Sequence, residues 1–111
     1  MIREIPKQEY EKRIALLQKK MIDNNLDLII CFGHEAESQY LRYFADYKAL
    51  FETGGIFIPR EGEAILLIGP ETEMLAKQWS KIDRIEKILE FRESAQPEYP
   101  GVALVTFEDL F

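Results

Sequence analysis

The apolar residues Tyr10, Ile14, Leu17 and Met21 recur at spacings of four, three and four, while Lys12, Arg13, Lys19 and Lys20 mostly fill the positions between them. This period places the apolar set on one face of an amphipathic helix. Pro6 suits its first turn, Glu9 and Glu11 lie near the positive end of the helix dipole, and Lys19 and Lys20 lie near the negative end. Asn24-Asn25 offers a left-handed stop. Together these signals predict a helix over about residues 7–24. The pattern then changes: Leu26 to Phe32 is nearly all apolar without alternation, as in a strand covered on both faces, and Gly33 closes it. A central strand is predicted. From His34 to Phe44 helical spacing returns, with Ala36, Tyr40, Leu41 and Phe44 on one side and Glu35, Gln39 and Arg42 on the other.

Gly54-Gly55 opens the apolar run Ile56-Phe57-Ile58-Pro59, the turn Arg60-Glu61-Gly62-Glu63 follows, and Ala64 to Ile68 is apolar again, which predicts an antiparallel hairpin. Gly69-Pro70 breaks that strand and presets a third helix, whose inward side is read as Met74, Leu75, Gln78 and Trp79. Ile85 to Phe91 reads as a fourth strand. The aperiodic, Pro- and Gly-bearing stretch Ser94 to Gly101 reads as an extended surface connection. Val102 to Val105 then forms a last strand, and Thr106 caps a helix beginning at Phe107, with Asp109 as reciprocal partner. Phe107, Leu110 and Phe111 have nothing further along the sequence to cover them, so the expectation is a chain truncated before more protein. The order α-β-α-β-β-α-β predicts a layered α/β domain with a mixed sheet. Its expected core holds Ile14, Leu17, Met21, Leu28, Ile30, Ile56, Ile58, Ile65, Leu67 and Leu75.

A length of 111 residues suits one domain with a modest core. The hydrophobic share of 47% beside 31% charged residues is ordinary for a globular chain. Charge narrows the partners: 14 basic against 20 acidic residues give a net charge of −6, which repels nucleic-acid phosphates and anionic headgroups. The single cysteine, Cys31, lies inside the apolar run Leu28 to Phe32, so no disulfide forms within the chain and a buried thiol is expected. The N-terminal stretch is charged where a signal peptide is apolar, and no segment approaches the roughly 18 apolar residues of a membrane helix. A cytoplasmic protein is expected, with no nucleic acid and no membrane as partner.

Candidate chemistry is sparse. One histidine and no His-x-x-x-His or clustered-carboxylate spacing give little from which to build a metal site. His34 follows the first strand, where ligands of open α/β sheets gather, so it is a candidate for contact with a ligand or partner domain; a loop histidine is more often structural. Ser38 lacks a nucleophile-elbow context, and Gly54-Gly55 lacks a phosphate-loop context. Of the aromatic cluster, Tyr40 and Phe44 are read as core and Tyr47 and Phe51 as exposed. The connection Ala45 to Thr53 mixes such aromatics with charges, which makes Tyr47, Lys48 and Phe51 candidate contact residues.

From Tyr10 through Leu67 the chain resembles the N-terminal domain of the creatinase, prolidase and aminopeptidase P family of Xaa-Pro peptidases. The resemblance rests on Arg13-Ile14-Ala15-Leu16-Leu17, on Leu26-Asp27-Leu28, and on Glu37 to Phe44 set against a family Asn-x-x-Tyr-Leu-x-Gly-Phe pattern. Tyr40, Leu41 and Phe44 match that pattern, and Glu37 and Tyr43 depart from it. The stretch Gly55 to Leu67 resembles the family hairpin and is the most specific match. The resemblance implies a three-layer α/β fold, a mixed β-sheet flanked by helices with a ribonuclease-H-like motif, spanning residues 1–111. It also implies a following pita-bread catalytic domain, in which two Asp, one His and two Glu hold two divalent ions such as manganese or cobalt, and a homodimer acting on proline-containing peptides. On that footing this stretch carries no catalytic or metal-binding residue and no cofactor, and assists substrate access and dimerisation. His34, Tyr47, Lys48 and Phe51 become substrate-side or interface candidates. The alternative is a free-standing α/β domain that binds a small molecule or a protein.

Overall fold

In the computed structural model residues 5–34, 36–48, 53–69 and 72–88 are described, together with Thr106 and Glu108. The first helix, α1 (Lys7–Asp23), starts from an extended Pro6 and stops where the sequence provides for it. Asn25 takes a left-handed φ of 56°, the Asn24 side chain donates to the Lys20 carbonyl at 2.8 Å, and the Leu26 N–H returns to the Met21 carbonyl at 2.8 Å. These bonds satisfy carbonyls that a helix end otherwise leaves open. Tyr10 and Met21 are buried beneath α1, and Ile14 and Leu17 pack partly against the core.

Among the described residues four strands follow in simple order. β1 (Leu28–Gly33), β2 (Gly54–Pro59) and β3 (Ile65–Ile68) pair antiparallel, and β4 (Arg84–Lys87) lies parallel to β3. The parallel step needs a crossover, which is supplied by α3 (Glu73–Trp79). Register sorts the side chains: Ile29 faces Ile58, Cys31 faces Ile56, and Ile56 faces Leu66, which faces Ile85. These residues share one core with Met21 of α1, with Leu41 and Phe44 of α2 (Gln39–Ala45), and with Ala76 of α3. On the opposite face Ile65, Leu67 and Ile88 form a second buried cluster with Phe57 against it. β3 is buried on both faces, so the molecule is an α/β domain of mixed sheet and helices, consistent with three layers.

Several sequence expectations need correction. β1, read as central, is an edge among the described strands and only partly buried, with Phe32 exposed. An unbroken apolar run does not separate an edge strand from a central one when its inward residues already fill a core. The second helix begins at Gln39 rather than His34, because His34 and Glu37 exchange backbone hydrogen bonds of 2.9 and 3.0 Å in a tight loop. It runs through Tyr43, where the family pattern has glycine, and ends at Asp46, whose φ of 52° supplies the left-handed cap. On α3, Met74 is 84% and Trp79 57% exposed and Gln78 also faces solvent, while Ala76 is the buried contact. Tyr40, read as core, is exposed, and Tyr47, read as exposed, is buried. The expectations on Phe51, on the sequence from 89 to 105 and on the C-terminal helix lie outside the described residues, apart from Thr106 and a helical Glu108. Among the described residues no helix is long and apolar enough to cross a membrane.

Candidate functional site

The connection leaving α2 builds the most structured candidate. After the left-handed Asp46, the Tyr47 N–H donates to the Leu41 carbonyl at 3.3 Å and its ring enters the main core. The Lys81 N–H donates to the Ala45 carbonyl at 2.7 Å, tying the end of α2 to the segment that follows α3. Ser80 closes the turn there: its hydroxyl accepts from the Ile82 N–H and donates to the Ile82 carbonyl, both at 3.0 Å. These ties bring Tyr47 and Lys48 against Leu75 and Trp79, and the four line a depression of about 190 Å³. An apolar floor, an indole donor and a lysine ammonium suit a ring-bearing or aliphatic group that carries a hydrogen-bond acceptor or negative charge.

Of the sequence candidates, Tyr47 and Lys48 thus come together, although Tyr47 contributes as a buried wall and Lys48 alone of the two is exposed. His34 does not line the depression. It is exposed beyond β1, and its Nδ1 accepts the Ala36 N–H at 3.3 Å, which makes it a local turn element. Leu75 packs partly against the core, in keeping with the inward face the sequence predicts, whereas Trp79 is exposed, and sequence pattern alone does not show the two as walls of one site. A lone tryptophan on a short helix was the available signal.

Electrostatics elsewhere are structural. Burial pushes the Tyr10 phenol above its ordinary range, reinforced by the neighbouring Asp46 carboxylate. Cys31, expected to be buried, is only partly so, and that partial burial raises its thiol above the ordinary value, which disfavours the thiolate. A second cavity, of about 340 Å³, lies between α1, the hairpin turn and the approach to β4, and includes the Lys7–Asp83 ion pair at 2.6 Å. Among the described residues no group of three or more His, Cys, Asp or Glu is placed to hold a metal ion. A dinuclear centre of the kind implied by the family resemblance does not fit this set.

No family model matches the sequence. No curated protein matches it either. A solved structure does share the fold: dipeptidase PepE from Mycobacterium ulcerans matches over 77% of this chain, with a TM-score of 0.61 and 12% sequence identity. This chain spans 23% of the length of that one. At such low identity the likeness is one of fold.

Proposed function

We propose that this chain is the non-catalytic N-terminal domain of a metal-dependent Xaa-Pro peptidase, a hydrolase whose catalytic centre lies in a further C-terminal domain. The observation that carries the proposal is the fold shared with part of a dipeptidase. The sequence resemblance supports it, since its motifs fall on the elements that build this fold: Arg13 to Leu17 in α1, Tyr40, Leu41 and Phe44 in α2, and Gly55 to Leu67 across the β2–β3 hairpin.

In this reading residues 1–111 form the accessory domain and the absent domain holds two divalent ions such as manganese or cobalt. The assembly is a homodimer acting on proline-containing peptides in the cytoplasm. Lys48, with Trp79 beside it, then forms the substrate-side or interface surface, buried Tyr47 supports it from below, and His34 and Phe51 remain contact candidates. The reading frame downstream of Phe111 in the parent gene tests the proposal. A following domain with two Asp, one His and two Glu in the family pattern is the expected result. A stop codon directly after Phe111, or a following domain without those ligands, overturns it.

A further inference from the structure

The helices α1 and α2 form a basic layer on an acidic protein. They carry Lys7, Lys12, Arg13, Lys19, Lys20 and Arg42 against Glu9, Glu11 and Asp23, whereas the whole chain has 14 basic and 20 acidic residues. Between the two helices runs a groove of about 490 Å³, walled by Leu16, Leu17, Tyr43 and Phe44, with Arg13 and Lys20 at its sides. Leu16 is 52% and Tyr43 53% exposed. Each leaves apolar surface in water that a partner side chain would cover, at roughly 25 cal/mol per Å² removed.

Arg13 fixes the groove rather than serving as a loose charge. Its guanidinium lies 4.8 Å from the Tyr10 ring centroid and 4.4 Å from that of Tyr43, donates to the Tyr43 carbonyl at 2.7 Å and meets the Glu9 carboxylate at 3.4 Å. Its side chain is only 17% exposed. Rings, carbonyl and carboxylate therefore hold it from both helices, and the spacing between Leu16 and Tyr43 is preset before any partner arrives. Lys20, exposed at the side of this apolar slot, supplies accessible positive charge.

We propose that the α1–α2 groove docks an acidic amphipathic segment of a partner protein, seating one apolar side chain between Leu16 and Tyr43 with a carboxylate toward Lys20. Charge complementarity selects this occupant. A second copy related by a two-fold axis would set the same basic rim against itself. A concave slot suits an inserted apolar side chain better than a bilayer surface or a phosphate backbone. The inference stands apart from the peptidase reading.

Nuclear magnetic resonance titration of the 111-residue chain tests it, using a synthetic helical peptide with leucine at i, i+4 and i+7 and glutamate between. Saturable shifts centred on Leu16, Leu17, Lys20 and Tyr43 are expected, with a Kd below about 1 mM. Lys20→Glu and Leu16→Glu, both at exposed positions, should each weaken binding tenfold or more while thermal melting shows the fold intact. A peptide with lysine in place of glutamate should leave the spectrum unchanged. Absence of shifts, equal binding of the lysine peptide, unchanged affinity in both variants, or matching shifts with phosphatidylserine vesicles overturns the proposal.

Discussion

Gly33 and Gly62 show how differently two glycines can be required. A Cβ on Gly33 would lie 2.9 Å from both Cγ and Cδ1 of Leu41 and 3.0 Å from the Glu37 carbonyl oxygen. Leu41 is fully buried beneath α2 and has little room to withdraw, so Gly33→Ala should cost about 1–3 kcal/mol through overpacking. Gly62 has open space around its missing Cβ, but its φ of 104° strains any other residue. Its carbonyl also accepts from Gln18 Nε2 at 2.9 Å, anchoring the hairpin turn to α1. Gly62→Ala should therefore cost about 1–2 kcal/mol through the backbone alone. Urea denaturation separates the two causes: Leu41→Ala in the same chain should relieve the Gly33→Ala penalty and leave the Gly62→Ala penalty unchanged. A Gly33→Ala chain as stable as the parent would show that α2 yields to the added methyl.

At the scale of elements, α3 and β4 are joined by charge as well as by packing. The Glu73 carboxylate meets Lys87 Nζ at 2.9 Å and Lys77 Nζ at 3.5 Å. The hydrogen bond from Lys87 is the largest influence and holds the carboxyl below its ordinary range, against the opposing effect of burial. A group whose folded pKa is depressed stabilises the fold above its unfolded value and loses that contribution as pH falls through the folded one. The expected contribution is thus present at neutral pH and declines from near the ordinary glutamate value of 4.5 downward. Thermal melting of wild type and Glu73→Gln across that range should show a gap at pH 7 that closes in acid; a gap independent of pH would assign the effect to packing. The same elements show what sequence pattern can carry. α1 was legible because its seventeen residues span several periods and its stop signals agree, and the hairpin because Gly62 marks a turn between two apolar runs. α3 spans seven residues, two turns, in which a small Ala76 at close approach outweighs the larger Met74 and Trp79. Of the predicted inward set Leu75 alone packs against the core, and β1, lacking alternation, carries no signal that it is an edge.

Across the whole molecule, the candidate site was half legible for a related reason. The loop bearing Tyr47 and Lys48 was recognisable from its mixture of aromatics and charges, but the wall facing it comes from α3, some thirty positions later in the chain. Burial of Tyr47 depends on that return and on the Lys81–Ala45 bond, neither of which leaves a local signature. Hydrolysis is a whole-molecule property of a similar kind, since a metal-activated water needs about three protein ligands converging from separate elements. The chain holds one histidine, His34, whose Nδ1 accepts a backbone N–H in a surface turn, and the pKa of its one thiol, Cys31, is raised by partial burial. Among the described acidic side chains, Glu73 pairs with Lys77 and Lys87 and Asp83 with Lys7, and no group of three or more His, Cys, Asp or Glu gathers around a common point. The purified 111-residue chain should therefore release no product from Xaa-Pro dipeptides or tripeptides with Mn²⁺, Co²⁺ or Zn²⁺ added, measured by chromatography of the free amino acids against a no-protein control. Metal-dependent turnover that survives repurification, is abolished by a chelator and returns with the ion would place a hydrolytic centre within this chain, and the accessory role would fall with it.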